Sequence, residues 1–293
     1  MRISKNKGFN LWTLPAIILT AFVSFLPFLI MIWNSFFDKS FTKISAGTFV
    51  GFANYRQAMA DPEFLEAIGN TVKIILVALP IEFIVGLFIA VLVSQHMKMR
   101  KFVVPIIIIP MIIAPTVVGL IWGLNLNPNY GPVGILLRNL GVASEGLLAS
   151  EKTALWTIIG IDIWQWTPFM FLLFLAGLCG LPGAPLEAAA VDGASPWQVF
   201  TRITLPGLKP IFVTAFLLRF TDVYKIFDVI WITTVGGPGN TTESMSTFGY
   251  RVNFLYWHIG YGAAVVMIIY LISEFISTIF FNLTSGKKAE NVM

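Results

Sequence analysis

The sequence predicts an all-α protein that crosses a membrane several times, and two observations support this fold class. The 293 residues are 57% hydrophobic and only 12% charged, with a mean hydropathy of +0.81, whereas about a quarter of the residues of a soluble domain are charged. The chain also contains six apolar runs, and a helix needs about 20 such residues to cross a membrane. We therefore expect one polytopic membrane domain over residues 1–293, with spans at about 12–37, 71–94, 102–124, 153–178, 211–232 and 261–283.

The first apolar run follows three basic residues, as the core of a signal peptide does. It is longer than the roughly 7–15 residues of such a core, and no small-residue cleavage site follows it. We therefore interpret it as a membrane span that begins after Arg2, Lys5 and Lys7.

The distribution of Lys and Arg predicts the orientation, because basic loops stay in the cytoplasm. The two ends of the chain and the loops at 95–101 and 179–210 together contain ten of these residues: Arg2, Lys5, Lys7, Lys98, Arg100, Lys101, Arg202, Lys209, Lys287 and Lys288. The other three loops contain six: Lys39, Lys43, Arg56, Arg138, Lys152 and Arg251. Both termini are therefore predicted to be cytoplasmic.

Prolines interrupt the predicted spans, and each removes a helical hydrogen bond. Pro105, Pro110 and Pro115 all fall in or beside the third run. Kinked helices persist in membranes where neighbouring helices or a wet cavity satisfy the freed carbonyls. The pattern favours a transporter over a bundle of straight anchors.

The composition excludes several kinds of site. Cys179 is the only cysteine, and His96 and His258 are the only histidines, so we expect neither a disulfide nor a metal site. The glycine-rich segment at 236–240 lacks the Gly-Lys-Ser/Thr ending of a P-loop and is interpreted as an external turn. The basic residues are scattered rather than gathered into a stripe, so no nucleic-acid partner is expected.

The cytoplasmic loop at 179–210 is predicted to form two short helices with a turn between them. Pro185 is suited to a helix start, which puts Glu187 in the first turn, and three alanines leave a narrow surface that another protein can approach. Gly193 ends this helix, and the Ser-Pro pair at 195–196 caps and begins the second. The pattern is typical of a docking element.

This loop resembles the EAA loop of ABC importer permeases. In that loop, E-A-A is followed by three further residues and a glycine, and later by an I-x-L-P ending. The match comprises Glu187, Ala188, Ala189, Asp192, Gly193, Ala194, Phe200, Ile203, Leu205, Pro206 and Pro210. In that family the loop is a coupling helix that sits in a groove of an ATPase subunit. The resemblance implies this coupling role for Glu187, Ala188, Ala189, Asp192, Gly193, Ala194, Phe200 and Pro206.

The rest of the chain is similar to the carbohydrate-uptake permeases of the maltose and glycerol-phosphate type, at segments 51–55, 70–71 and 234–242. The resemblance implies the six-helix architecture of a type I ABC importer permease in a bacterial or archaeal cell membrane. It also implies a second, different permease, two ATPase subunits that bind ATP and Mg²⁺, and a periplasmic or extracellular solute-binding protein. The ending after the sixth span is more like that of the first permease of such a pair.

Polar and aromatic residues within the fourth and fifth spans are candidates for the solute pathway. An ionisable group near the bilayer centre costs about 2.5–3.5 kcal/mol, so its presence within a span indicates a function. Spacings of three and four residues put Asp162, Gln165 and Phe169 on one helical face. Solute contacts in the similar permeases come largely from these two helices. The candidates are Asp162, Gln165, Trp166, Phe169, Arg219, Asp222 and Val223.

An alternative role for the charges of the fifth span is left open. Arg219, Asp222, Lys225 and Asp228 follow one another at spacings of three, so they are able to neutralise each other along one helix. Glu82, in the second span, is as well suited to bond another helix as to serve transport.

The sequence thus predicts a transport subunit without catalytic residues or a cofactor of its own, in an ATP-driven, binding-protein-dependent importer for a sugar, polyol or related small polar solute. An ABC permease for amino acids is the nearest alternative. An ion-coupled carrier would use Asp162 and Asp222 as cation ligands but leaves the EAA loop without a purpose. An intramembrane enzyme would need a paired-His metal motif or a Ser/His set, which the sequence lacks.

Overall fold

A computed structural model describes residues 13–41, 47–94, 97–142 and 144–284. Trp12, where the first predicted span begins, lies outside the described residues. So do His96 and several of the basic residues counted for the orientation, namely Arg2, Lys5, Lys7, Lys43, Lys287 and Lys288.

The described chain is mainly helical. Its α-helices are α1 Leu14–Ser35, α2 Ala53–Ala60, α3 Pro62–Ser94, α4 Met97–Ile112, α5 Pro115–Asn125, α6 Pro132–Asn139, α7 Ala154–Cys179, α8 Gly183–Val191, α9 Pro196–Val199, α10 Leu205–Gly207, α11 Lys209–Val223, α12 Asp228–Thr233, α13 Met245–Tyr250 and α14 Ile259–Thr284. π-Helical turns occupy Phe200–Thr204 and Arg251–Leu255. Two short strands, β1 Phe37–Asp38 and β2 Thr48–Phe49, pair antiparallel.

Four helices of the described residues are long and apolar enough to cross a membrane: α1, α3, α7 and most of α14. Two further pairs of segments qualify only together, 100–112 with 115–125 at a bend of 90° and 196–207 with 209–233 at a bend of 59°. The all-α membrane fold is confirmed. The count of six spans is not confirmed, because the third predicted span bends by 90° after Ile112 and the segment that contains the fifth bends by 59° just before that span begins.

The break in the third predicted span follows from proline chemistry. Pro115 is the first residue of α5, and Ala114 before it takes extended torsion angles (φ −57°, ψ 137°), as a residue that precedes proline prefers. The carbonyl of Ile113 accepts a hydrogen bond from Nε2 of Gln165 on α7 at 3.1 Å. A neighbouring helix thus satisfies a carbonyl that the break frees, as a membrane requires.

Contacts divide the chain into two compact units, Met1–Asp61 with Gly249–Leu271 and Pro62–Phe248 with Ile272–Met293. In the second unit α3 and α7 pack closely at Gly86, where a Cβ would lie only 2.6 Å from the Cβ of Met170. Buried apolar residues on both sides of this crossing form the core, among them Ile74, Ala78, Ala90, Ile158, Phe171 and Phe174. The single domain over 1–293 stays a prediction.

The shorter segments that carried the family resemblance bind backbone groups. In the first unit, Nδ2 of Asn54 donates to the carbonyls of Ser35 and Phe37 at 2.8 and 3.0 Å. In the second unit, Nδ2 of Asn70 donates to the carbonyl of Glu243 at 3.2 Å, and Oγ1 of Thr71 accepts from the backbone N–H of Met245 at 3.0 Å. These hydrogen bonds therefore hold neighbouring segments of the chain against α2 and α3.

Candidate functional site

A buried arginine on α11 joins three helices. Nε and Nη2 of Arg219 donate to the two carboxylate oxygens of Glu82 on α3 at 2.7 and 2.9 Å. Nη2 also donates to Oδ2 of Asp162 on α7, and Nη1 donates to Oδ2 of Asp222 at 2.9 Å. The side chain of Arg219 is 1% exposed, so its charge is satisfied almost entirely within the protein.

The three carboxylates differ in their access to solvent. The side chains of Glu82 and Asp162 are 0% and 3% exposed, whereas that of Asp222 is 52% exposed. Glu82 and Asp162 are therefore enclosed within the protein, where both accept hydrogen bonds from Arg219. Asp222 is the acidic group of this cluster that remains open to a further partner.

Only one of the ion pairs observed among the described residues joins two charges of the fifth span, as the spacing along that span suggested. Arg219 does pair with Asp222 three residues on, but its other partners come from α3 and α7. Lys225 is exposed. Glu82 forms the bond to another helix that the sequence left open, and it is the residue that the list of candidate pathway residues lacks. Its signal was an isolated carboxylate inside an apolar span.

A small cavity opens beside this cluster, with a volume of about 60 Å³. Six of the seven candidate pathway residues line it: Asp162, Gln165, Trp166, Arg219, Asp222 and Val223. The indole of Trp166 lies 5.1 Å from the guanidinium carbon of Arg219. Phe169 does not line the cavity but contacts Trp166 edge to face at 6.2 Å. The fold brings the candidates together, and their role in transport stays a prediction.

One residue that lines the cavity has an unsatisfied polar atom. Gln165 is completely buried, and while its Nε2 donates to Ile113, its Oε1 has no hydrogen-bond partner among the described residues. An orphaned buried acceptor is costly, and this oxygen has almost no accessible surface. The volume holds only a few water molecules and is too small for a sugar ring.

The predicted docking loop forms two helices separated by a turn, with one correction at its start. Helix α8 begins at Gly183, two residues before Pro185, so Glu187 lies beyond the first turn rather than in it. Pro182 is the N-cap in an extended conformation. Pro185 is tolerated at the third helical position because the N–H groups of the first turn have no helical partner.

The end of α8 matches the prediction from Gly193. This residue has a φ of +72°, which glycine adopts without steric cost. The N–H of Gly193 donates to the carbonyl of Ala190 at 3.2 Å, and that of Ala194 donates to the carbonyl of Ala189 at 3.0 Å. These two bonds form a Schellman motif, which fixes the direction in which the chain leaves α8.

The second docking helix is capped as predicted. Oγ of Ser195 accepts from the N–H of Gln198 at 3.3 Å, and Oε1 of Gln198 accepts from the N–H of Ser195 at 2.8 Å. This reciprocal pair is a capping box. Pro196 occupies the first helical position, so Ser195, Pro196 and Gln198 together determine the start of α9.

The predicted coupling residues lie together on this element, and most of them are exposed. Ala189 is 8% exposed and anchors α8, whereas Glu187, Ala188 and Asp192 are exposed. Phe200 is half-buried and packs on Trp197 with ring centroids 5.9 Å apart, while Gly193 and Pro206 are exposed and Ala194 is half-buried. Val191 and Trp197 are 87% and 72% exposed, which gives the surface apolar as well as acidic groups.

Comparisons with known proteins agree with this arrangement. Residues 82–287 match the family "Binding-protein-dependent transport system inner membrane component". The chain is 34% identical over 250 residues to the trehalose/maltose transport system permease protein MalF of Thermococcus litoralis, covering 85% of this chain and 83% of that protein. It is 32% identical over 273 residues to the sulfoquinovosyl glycerol transport system permease protein SmoG of Agrobacterium fabrum, covering 93% and 89%.

The fold has a counterpart among solved structures. A chain of a bacterial alginate ABC transporter, solved in complex with an alginate pentasaccharide-bound periplasmic protein, superimposes with a TM-score of 0.78 over 93% of this chain and 94% of that one, at 23% identity. The family that the loop at 179–210 predicted is thereby confirmed. The chain belongs to the binding-protein-dependent transport system inner membrane components and is a multi-pass permease of the carbohydrate ABC importer type.

Proposed function

We propose that this chain is one of two different permease subunits of an ATP-driven importer for a sugar, polyol or related polar solute. Two ATPase subunits bind ATP and Mg²⁺, and a soluble binding protein delivers the solute from outside. The exposed helical element α8–α9, which carries a complete EAA motif, is the observation that carries the proposal. The relatives named for trehalose/maltose and sulfoquinovosyl glycerol support a carbohydrate as the solute.

Coupling to the ATPase is assigned to α8 and the turn that follows it. Its exposed side combines the carboxylate of Glu187 with the apolar side chain of Val191, and a groove with a basic group and an apolar floor complements both. Burying the exposed apolar surface contributes about 25 cal/mol per Å² to docking. The Schellman turn at Gly193 transmits a rotation of α8 because it holds the next segment at a fixed angle.

Contact with the solute is assigned to the open side of the arginine cluster. Arg219 uses four of its five N–H groups on the three carboxylates, which leaves one on Nη1 for a solute oxygen. Asp222 offers an exposed carboxylate. Trp166 supplies an aromatic face. Because the cavity is smaller than a sugar ring, these residues form one side of a site that the second permease completes.

The predicted orientation agrees with this assignment. With both termini cytoplasmic, as the distribution of Lys and Arg predicts, the loop between α7 and α11 faces the ATPase subunits. The chain then has its solute contacts within the spans and its docking element on the side of the membrane where ATP is available.

The proposal is tested by Asp222→Asn in the assembled importer, with uptake and binding-protein-stimulated ATP hydrolysis measured on the same preparation. Each charge-assisted hydrogen bond contributes about 1.5–3 kcal/mol, so we expect uptake to fall about tenfold or solute preference to change. ATP hydrolysis should persist.

Lys225→Gln is the matched control, because this exposed residue lies three positions further on and does not line the cavity. It should transport normally. A loss of folded complex in Asp222→Asn with unaltered solute selectivity in the remainder would instead assign the carboxylate to helix pairing. Normal uptake by Asp222→Asn would contradict the assignment.

A further inference from the structure

A second, much larger hollow lies beside the docking loop. It has a volume of about 1160 Å³ and is bounded by the end of α3, the start of α4, the end of α7 and the inner side of α8–α9. Its walls are mainly apolar, with Leu87, Val91, Leu178, Leu186 and Phe200 among them. We call this hollow the loop groove.

The loop groove is about as long as one leaflet of a bilayer is thick. On α3 it runs from Ile84 through Phe88 and Val91 to Ser94, a helical stripe that rises about 15 Å. That is half of the roughly 30 Å hydrocarbon thickness of a bilayer. The deep end is open to the surroundings, since Ile84 and Phe88 are 69% and 63% exposed. An acyl chain that lies along the membrane normal matches this shape.

The polar end of the groove is positively charged. Arg100 is the charged residue among the described residues that line it, and its Nη1 lies 3.1 Å from Sγ of Cys179. A thiol is a weak acceptor, so the guanidinium charge is not neutralised there. Arg100 belongs to the basic loop that is predicted to face the cytoplasm, and anionic lipids of the cytoplasmic leaflet attract such residues.

We propose that the loop groove binds an anionic phospholipid, with an acyl chain along α3 and the phosphate on Arg100. The lipid would then pack against the inner side of α8–α9, because Leu186, Ala190 and Trp197 line the same groove. This site is separate from the cavity beside Arg219, and it involves a lipid rather than the transported solute.

The test uses the complete importer, reconstituted with equal amounts of phosphatidylglycerol and phosphatidylcholine and then re-extracted in mild detergent. Native mass spectrometry counts the retained lipids. We expect phosphatidylglycerol to be retained in preference to phosphatidylcholine. Arg100→Gln should lower this retention about fivefold, the effect of one basic residue near a charged surface. Val91→Trp should lower it by filling the groove, without removing a charge.

Lys101→Gln is the matched control, because it removes the same charge at the next position, where Lys101 lies over the ring of Phe102 and does not line the groove. It should retain the lipid. Equal loss in Lys101→Gln and Arg100→Gln, or equal retention of the two lipids, would overturn the proposal. So would an absence of retained lipid together with protection of Cys179 from maleimide, which would show that a protein subunit covers the groove.

Discussion

At the scale of single residues, Arg219 is a side chain whose position is tightly constrained. It serves three carboxylates from a position that is 1% exposed. Transferring such groups from water is costly, and the mutual attraction of the groups repays this cost only while all of them are present. The cluster is therefore sensitive to the loss of its cation, whatever its net contribution to stability.

Replacement of this cation should destabilise the chain. Arg219→Gln leaves Glu82 and Asp162 buried without their partner, and breaking a buried pair costs about 3–5 kcal/mol. We expect a lower melting temperature and a lower yield of assembled importer, measured by fluorescence-detected gel filtration after heating. Asp222→Asn should have a much smaller effect, because that carboxylate is 52% exposed. Equal stability of Arg219→Gln and the unaltered chain would contradict this account.

The sequence predicted much of this cluster, but not its bonding. Asp162, Arg219 and Asp222 stand out because charged residues are rare within apolar spans. A spacing of three residues identifies Asp222 as a neighbour of Arg219. The pairing with Glu82, 137 positions away in sequence, depends on how α3 packs against α11, and spacing along one helix carries no information about it.

At the scale of elements, the turn after α8 is the feature to which we assign coupling. Gly193 has a positive φ of +72°, and no atom lies within 4 Å of where a Cβ would stand. A substitution there is therefore strained by its backbone conformation alone, at a cost of about 1–2 kcal/mol. The strain is relieved by a change of backbone angle, which redirects α9.

Gly193→Ala should therefore impair uptake more than it impairs folding. Gly141 offers a matched control, since its φ is +71° and no atom lies within 4 Å of its Cβ position either, but it lies outside the docking loop. We expect Gly193→Ala and Gly141→Ala to lower the melting temperature alike, with uptake in proteoliposomes reduced severalfold only in the former. Similar uptake in both variants would remove the turn from the coupling path.

The elements themselves could be predicted where one local signal dominates. The Ser-Pro pair at 195–196 and the glycine at 193 correctly marked a helix start and a helix end. Hydropathy located the broken third span but represented it as continuous, because apolarity continues through the bend at Pro115. The start of α8 was set two residues too late, since a proline is accepted anywhere in the first turn.

At the scale of the whole molecule, the two functions proposed for the chain are assigned to different segments of it. The arginine cluster connects α3, α7 and α11 within the apolar spans, while α8–α10 lie between α7 and α11 in sequence. Any movement of the docking element therefore acts directly on two of the three helices that hold the cluster. A conformational change imposed at α8 is therefore transmitted to the cavity through the chain that connects α8 to α7 and α11.

This arrangement requires that the docking loop face the cytoplasm, and the orientation is testable. In a chain with Cys179→Ser, we introduce Val191→Cys in α8 or Ser144→Cys between α6 and α7; both positions are exposed. Basic residues favour the cytoplasmic side for the first loop and the external side for the second. A membrane-impermeant maleimide should therefore label Ser144→Cys in intact cells and Val191→Cys only in inside-out vesicles, both from cells that lack the ATPase subunits which would cover α8. The reverse pattern would place α8 outside, where no ATP is available, and would rule out coupling through the EAA motif.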